Sequence, residues 1–423
     1  MARSTTTATM MVEKPRMILK AEDDGKKPLL FTPPEYTMKQ IYDAIPPHCL
    51  KSNTGLSLAY IARDFIYVFT LMGIATQIPR IPNEYLRFTA WAIYAFVQGL
   101  VFTGLWEIAH ESGHGALSKY KWVNNAIGML THSCLLVPFY SWRLTHAQHH
   151  KSTNNIERDI AFVPDTKDVW MAKRESRPDN ALTHALEMVE DTPVVALVTL
   201  FFHQLIAWPL YLTINNFAIP RMAAAPWYKR SHFYTGGDGP NFKPQNGAEI
   251  LISDLGIAAM ATVLYASVQY FGGWNVALFY LFPWMWTNHW IRKFDFFPDW
   301  RMLTYPVTIT YLQHTDASIP YYPTKTWSFL RGAASTVDRD FGFIGRHIFH
   351  GAIETHVVHH HSSRIPFYHA AEASAAVRKV MGTHYQSDFE TPYLWAFWKN
   401  YNNCRYVEEK DPGSNVYFFK KSK

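Results

Sequence analysis

The sequence predicts an all-α polytopic membrane protein with about four transmembrane helices in two hairpins, interfacial helices, and a histidine-rich cap on the cytosolic side. Three observations predict this fold class. The 423 residues are 16% aromatic and only 17% charged, whereas globular chains carry about 25% charged residues. Several apolar segments approach the roughly 20 residues that a helix needs to cross a bilayer. Twenty histidines stand beside three cysteines, and eight of the histidines are clustered.

The same composition excludes several classes of protein. A chain this rich in apolar residues is neither disordered nor collagen-like, and three cysteines do not make a disulfide scaffold. Cys49, Cys134 and Cys404 lie far apart without a CxxC pair, so neither an iron–sulfur cluster nor a thiolate zinc site is expected. A nucleic-acid partner is not expected either.

The chain divides into three parts by composition. Residues 1–50 are polar and rich in Thr, Lys and Pro, which predicts a mostly flexible cytosolic arm with a short amphipathic stretch at residues 36–44. No apolar segment near Met1 indicates a cleaved signal peptide, and an organelle transit peptide is the alternative. Residues 51–390 are predicted to form the membrane and catalytic domain, and residues 391–423 a cytosolic C-terminal tail.

Four apolar segments are long enough to be transmembrane helices. They are residues 58–78, 88–106, 250–270 and 274–290, the last two joined by Gly272-Gly273. Residues 126–139 are too short for a convincing span, and residues 194–214 contain His203, Gln204 and Pro209. These two segments are therefore expected to lie in the interface or to cross the membrane only partly.

Basic residues indicate the orientation of the helices. Eight Lys and Arg residues precede the first span, and seven more lie in residues 141–178. Because cytosolic segments are enriched in Lys and Arg, the arm and the histidine-bearing segments are predicted to be cytosolic. The short connection at residues 79–87 has only Arg80 and Arg87, which suits the opposite side.

The histidine clusters are the strongest chemical signal in the sequence. On helices, i,i+3 and i,i+4 spacing places their imidazoles on one face, and neutral imidazole is a good ligand for iron, zinc, copper and nickel. Three such clusters exceed the needs of one four-coordinate ion, so two metal ions are expected. The clusters are His110-Glu-Ser-Gly-His114, His146-Ala-Gln-His149-His150 and His356-Val-Val-His359-His360.

Two imidazole-bound metals beside a membrane suit a particular chemistry. Removing hydrogen from an unactivated hydrocarbon calls for an oxidant made from O2 at iron, and apolar spans can supply a tunnel for an acyl chain. Soluble di-iron bundles use Glu and Glu-x-x-His ligands for comparable chemistry. No acid–base residue need be invoked beyond the metal ligands.

Two alternatives accompany this interpretation. A histidine outside the clusters is usually a surface or core residue, which is the expectation for the isolated His48, His132, His184, His232 and His384. His110-Glu111-Ser112-Gly113-His114 also fits H-E-x-x-H, in which two histidines bind zinc and the glutamate is the general base of a metalloprotease. That hypothesis leaves the other two clusters without a role.

These motifs resemble those of the membrane-bound fatty acid desaturases, specifically the microsomal Δ12 (oleate) desaturases of fungi and plants. The resemblance runs from about Phe31 to Tyr385. Besides the three histidine clusters in order, it is carried by residues 31–64 with their Ile-Pro-Pro-His-Cys run, Thr310-Tyr-Leu-Gln-His-Thr-Asp316, residues 331–340 and Ile365-Pro-Phe-Tyr-His369.

The resemblance implies an activity and a set of ligands. It implies that a di-iron centre is held by the eight clustered histidines, with His314 as an additional ligand, and that O2 is the co-substrate. The expected reaction converts oleoyl to linoleoyl chains; ω3 (Δ15) or bifunctional desaturation is the alternative, and hydroxylation is less expected. The implied metal ligands are His110, His114, His146, His149, His150, His314, His356, His359 and His360.

The resemblance also implies partners and a location. Cytochrome b5 and its NADH-dependent reductase are the expected electron donors, as separate proteins, because the chain has neither a His-Pro-Gly-Gly haem signature nor a Gly-rich dinucleotide loop. The expected location is the endoplasmic reticulum membrane, with the catalytic face and both termini in the cytosol. Lys420-Lys421-Ser422-Lys423 resembles a di-lysine retrieval signal.

The sequence departs from the family in two places. Ser112 replaces a cysteine that many relatives have, and neither residue is an expected ligand. Residues 292–306 form a fifteen-residue insert before His314, which puts ligation by His314 in doubt if the insert is real. The codons for Arg292-Lys-Phe can contain a GTAAGT splice donor. Excision from the second base of the Arg292 codon through the first base of the Val307 codon keeps the reading frame and leaves a single leucine codon at the junction. The insert is therefore hypothesised to be a retained intron, which would make the working chain 408 residues long.

Overall fold

The computed structural model describes residues 32–161, 163–181, 184, 188, 192, 208–214, 222, 224–291 and 308–420. The first 31 residues of the predicted arm, the insert at residues 292–306, most of the weak apolar segment 194–214 and the last three residues of the lysine motif lie outside them. The described chain is mostly helical, as predicted. It also has two small two-stranded sheets, so it is not strictly all-α.

The described elements follow one another in the order of the chain. The helices are α1 (Met38–Ala44), α2 (Thr54–Ala75), α3 (Glu84–His114), α4 (Lys121–Cys134), α5 (Phe139–His150), α6 (Lys167–Glu175), α7 (Gly247–Phe271), α8 (Gly273–Val276), α9 (Phe282–Ile291), α10 (Thr308–His314), α11 (Phe329–Ala334), α12 (His356–His361), α13 (Phe367–Met381) and α14 (Tyr393–Asn403). The strands are β1 (Val337–Arg339), β2 (Gln386–Asp388), β3 (Tyr406–Glu409) and β4 (Tyr417–Lys420), and π-helical segments lie at Ala277–Leu281 and Ile344–Ile348.

Three of the four predicted spans are helices long and apolar enough to cross a membrane. These candidate spans are Thr54–Arg80, Glu84–His114 and Pro244–Phe271. The fourth predicted span is helical too, but its helix contains the π-helical segment between α8 and α9. Gly272, with a φ of 84°, makes the turn that separates α7 from α8.

The helices of the second predicted hairpin contact other elements more than each other. In the first hairpin, α2 and α3 contact each other, as predicted. In the second, α9 packs mainly on α3, whereas α7 packs on α4 and α5. Helix α3 is therefore central: 56% of its most apolar stretch is buried inside the protein, against 11% of that of α7. The exposed apolar face of α7 suits contact with lipid.

Helix α3 is long enough to carry side chains beyond the bilayer. The side chain of Asn83 accepts a hydrogen bond from the Leu86 N–H at its start, and Gly115, with a φ of 73°, ends it in the left-handed region. Its 31 residues extend about 46 Å at 1.5 Å each, whereas the hydrocarbon core is about 30 Å thick. The last turns, which contain His110 and His114, can therefore lie outside the hydrocarbon.

The end of the predicted flexible arm is folded. Thr37 and Gln40 form a capping box at the start of α1, as expected for the amphipathic stretch. Ile41, Ile45 and Cys49 are buried in one apolar cluster with residues of α13. Residues 38–50 of the predicted arm are therefore folded against α13, because Ile41, Ile45 and Cys49, spaced four residues apart, share one apolar surface.

Most of the predicted C-terminal tail is folded as well. Tyr393, Phe397 and Tyr401 of α14 share a core cluster with Tyr311 and Leu312 of α10. Strand β3 pairs antiparallel with β4, and β1 pairs parallel with β2. The last described segment therefore supports α10, which contains His314.

Glycine at position 99 permits the close approach of α3 and α9. A Cβ atom at Gly99 would collide with the Cβ of Trp286 and lie 2.9 Å from the Pro283 carbonyl oxygen. Gly73 of α2 is also helical, and a Cβ there would meet nothing within 4 Å among the described residues. The two positions form a matched pair for testing the helix contact.

We predict that Gly99→Ala destabilises the protein by about 1–3 kcal/mol because it overpacks the α3–α9 contact. Gly73→Ala should leave stability unchanged or slightly raised. Thermal unfolding of the detergent-purified variants measures both effects. Equal unfolding midpoints for the two variants would contradict the tight contact of α3 with α9.

Candidate metal centre

The ends of four elements bring the predicted histidines together. Helix α3 contributes His110 and His114 from its last turn, α5 contributes three histidines, α10 contributes His314, and α12 contributes the rest. Each cluster lies on a helix, as its spacing predicted. The nine imidazoles are buried or half-buried.

Five imidazoles converge on one point, which we call the first group: His110, His114, His146, His150 and His359. The Nε2 atoms of His110 and His146 lie 2.9 Å apart, and that of His146 lies 3.1 Å from His114 and 3.0 Å from His150. The Nε2 of His359 is 3.2 Å from that of His150. Nitrogen ligands about 2 Å from one ion are about 3 Å apart, so these atoms are spaced to hold one metal.

The first group also bears on the H-E-x-x-H hypothesis. A zinc protease site would take His110 and His114 as its two histidine ligands. Here three further imidazoles, from α5 and α12, meet the same point. The geometry therefore fits an all-histidine site better than the protease site.

The remaining imidazoles form the second group. His149, His314 and His360 can hold a metal together, and the Nε2 of His356 lies 2.9 Å from that of His314. The Nε2 atoms of His149 and His314 are 3.3 Å apart. His360 Nε2 is buried without a hydrogen-bond partner among the described residues, which is unusual for a buried polar atom unless it binds an ion. The second group is the more buried of the two.

Helices α5 and α12 each divide their histidines between the groups. His146 and His150, one turn apart, belong to the first group, and His149 belongs to the second. On α12, His359 belongs to the first group and His360 to the second. The rings of His150 and His360 stack at a centroid distance of 4.2 Å, where the two groups meet.

His314 reaches the second group with the insert present in the chain. Helices α9 and α10, on either side of residues 292–307, contact each other. The buried Arg339 donates from Nε to the Leu312 carbonyl and forms ion pairs with Asp316 and Asp388. The Tyr321 hydroxyl donates to the His314 carbonyl oxygen at 2.6 Å. Contacts from the C-terminal side thus hold His314 in position.

Burial sets the protonation of these histidines. It holds the pKa values of five of them well below the ordinary value, with a further contribution from neighbouring imidazoles, and it lowers the pKa of His359 to about 3. Neutral imidazole is the form that binds metal. The five are His146, His150, His314, His356 and His360.

Several groups orient the imidazoles from behind, and none of them was predicted from the sequence. His149 Nδ1 donates to Asp159 Oδ1 at 2.8 Å, and His360 Nδ1 lies 3.1 Å from the Thr153 hydroxyl. Glu111 lies 3.2 Å from His110 Nδ1. The contacts of His149 and His360 orient each ring so that its Nε2 faces the second group. The helical spacing of Glu107 and Glu111, one turn apart beside His110, was the sequence signal that could have indicated acidic groups beside this imidazole.

A pocket of about 960 Å³, including its opening, is lined by histidines of both groups. Its other walls include Trp106, Trp142 and Trp208. Trp142 stacks on His146 at a centroid distance of 4.5 Å. An apolar pocket with a few convergent polar groups is the usual form of a small-molecule site.

The isolated histidines have different surroundings. His132 and His232 are buried in aromatic surroundings, and His184 pairs with Asp179 at the surface. His350, which lines the pocket, is buried against Asp64 at 2.8 Å. His48 is 56% exposed, as expected for a surface histidine, and it lies close to a cysteine, a second histidine and a glutamate.

We predict that Asp159→Asn lowers the metal affinity of the second group by about 10–100-fold because His149 loses the carboxylate that orients it. Asp179→Asn removes the partner of the exposed His184 and is the matched control. Metal content after dialysis against a graded chelator measures the change. Equal metal retention in the two variants would refute the role of Asp159.

Similarity to known proteins shows the family of the chain. The fatty acid desaturase family model matches residues 89–392. The chain is 38% identical to an oleate hydroxylase of Claviceps purpurea over 92% of this chain and 82% of the relative, and 39% identical to a Δ12 fatty acid desaturase of Mortierella isabellina over 92% and 91%. It is 35% identical to an ω-6 fatty acid desaturase, endoplasmic reticulum isozyme 1, of Glycine max over 95% and 96%. The chain belongs to the fatty acid desaturase family.

Proposed function

We propose that this protein is an O2-dependent acyl-lipid desaturase that inserts a cis double bond into oleoyl chains at the Δ12 position. The observation that carries the proposal is the convergence of nine imidazoles in two groups on one largely apolar pocket. Desaturases of Δ12 type among its relatives support the choice of substrate and position.

The nine histidines are the proposed ligands of two non-haem irons. Imidazole suits iron, and two convergent groups account for two ions. When bound, the irons supply the oxidation of an unactivated C–H bond by O2. One O2, two electrons and two protons become two waters while the acyl chain loses two hydrogens and gains a double bond.

The protein's own residues bind and orient the acyl chain. Trp106, Trp142 and Trp208 give the pocket apolar walls against which methylene groups can pack. The stacking of Trp142 on His146 places this wall directly beside the first group. The depth at which the chain stops determines which carbon lies nearest the histidines, and so the position of the double bond.

The membrane setting follows from the same proposal. We place residues 51–390 in the catalytic domain, with about four spans in the endoplasmic reticulum membrane and the histidine cap and termini in the cytosol. The three apolar helices support the membrane location, and a relative's name includes the endoplasmic reticulum. Electrons would come from cytochrome b5 and its NADH-dependent reductase, as separate proteins.

Hydroxylation is a second candidate, favoured by the similarity to the oleate hydroxylases of Claviceps purpurea and Ricinus communis. The two reactions share O2, two electrons and two protons. A hydroxylase transfers one oxygen atom to the carbon that loses hydrogen and releases one water. Small differences in how the pocket holds the second methylene decide between them. An ω3 or bifunctional desaturase differs instead in the carbon reached.

The insert at residues 292–306 is proposed to be a retained intron. The contact between α9 and α10 supports this, because the chain on either side is already close together. The active transcript should therefore lack these bases. A cDNA that contains them and encodes active protein would end the hypothesis.

We predict that a yeast without polyunsaturated fatty acids forms linoleate when it expresses this protein. His360→Ala should abolish the product because it removes an imidazole from the second group. His361→Gln is the matched control: this neighbour on α12 is also buried, but its Nδ1 lies 2.7 Å from the Val357 carbonyl oxygen instead of facing the group. Fatty acid profiling measures both variants at equal protein levels.

The products separate the candidate functions. Hydroxyoleate instead of linoleate would establish the hydroxylase, and triene formed only when linoleate is supplied would establish the ω3 activity. An unchanged lipid profile in cells with abundant protein and a functional electron donor would refute all of them.

A further inference from the structure

A second cluster of metal-binding side chains lies away from the histidine centre. His48 and Cys49, in the turn after α1, meet His369 and Glu372 of α13. One ligand atom from each of these residues lies within 4.8 Å of the others. His48 Nε2 is 2.9 Å from Glu372 Oε2 and 3.5 Å from Cys49 Sγ. The rings of His48 and His369 meet edge to face at 5.4 Å.

An ion pair alone does not account for this arrangement. His48 and Glu372 are both more than half exposed, at 56% and 54%, and such a pair contributes little to stability. Cys49, in contrast, is fully buried at the base of the cluster. The exposed pair of His184 and Asp179 belongs to none of the metal-competent groups found among the described residues.

We propose that His48, Cys49, His369 and Glu372 bind a zinc ion. Four ligands of thiolate, imidazole and carboxylate type complete the tetrahedral shell that structural zinc sites have. In such a shell neighbouring ligand atoms lie about 3.4–3.8 Å apart, so small side-chain rotations close the site from its present spacing. A thiolate and a carboxylate also balance the charge of Zn²⁺, and the thiol releases its proton to solvent on binding.

The two metal sites differ in donor chemistry. The histidine centre has only imidazole nitrogens, whereas this cluster contains a sulfur ligand, which favours zinc over a hard cation. Cysteine spacing along the sequence gave no sign of a thiolate site. Such spacing could not indicate this site, because the cluster contains a single cysteine and two of its residues lie more than 300 positions away in the sequence.

The proposed zinc would connect the start of the first span to the catalytic cap. The turn that contains His48 leads into α2, where the Asn53 N–H donates to the Tyr368 hydroxyl at 2.7 Å. Helix α13 follows directly after α12, which contains three histidines of the metal centre. A zinc ion here would hold α13 against the turn that leads into α2. This role does not depend on which reaction the histidine centre performs.

Zinc content of the full-length protein, purified in detergent from zinc-supplemented cells, tests the proposal. We expect the double variant His48→Gln/Glu372→Gln to contain about one zinc per chain less than wild type, because a site with two ligands does not retain the ion. Both residues are exposed, so folding should survive. The matched control His184→Gln/Asp179→Asn should retain the full zinc content. His360→Ala should lose metal from the histidine centre and keep this zinc.

Spectroscopy of the cobalt-substituted protein tests the sulfur ligand separately. The wild type should show a thiolate-to-cobalt charge-transfer band that is absent in Cys49→Ser. Equal zinc in the wild type and the His48→Gln/Glu372→Gln variant would overturn the proposal and leave only a surface ion pair. A cobalt-loaded wild type without the thiolate band would overturn it as well.

Discussion

Nine imidazoles packed into two adjoining groups are the feature on which the rest of the structure depends. Without ions, burying so many nitrogen lone pairs at separations near 3 Å costs free energy, because the nitrogens lose water and repel one another. Burial also holds the pKa values of His146 and His314 well below the ordinary value, which keeps these imidazoles in the neutral form that binds metal. With metal bound, the same convergence becomes favourable, and the proposed irons would hold α3, α5, α10 and α12 together.

The membrane helices and the histidine site are connected directly. Helix α3 is central among the candidate spans and ends in His110 and His114. On the other side of the site, Arg339 of β1 and helix α14 of the last described segment contact α10 and thereby position His314. The pocket lies where these elements meet, so the apolar substrate and the histidines share a wall that includes Trp142.

Patterns of neighbouring residues in the sequence predicted the features that depend on short-range interactions. The three candidate membrane helices followed from runs of apolar residues, and the helical clusters followed from the spacing of His146 with His150 and His356 with His360. The division of the α5 and α12 histidines between two groups could not be predicted, because it depends on how α5 and α12 lie against each other. The packing of residues 45–50 and 393–420 was not predicted, since Cys49 and Tyr401 are buried by partners far away in the sequence. Asp159 gave no signal for the same reason.

The two histidine groups are proposed to hold a pair of irons. Mössbauer spectroscopy of protein purified with isotopically enriched iron would detect that pair. Two high-spin irons per chain in a coupled pair are expected, and both should be lost in His314→Ala, a variant that removes an imidazole from the second group only. A single isolated iron, or zinc in place of iron at both groups, would contradict the proposal.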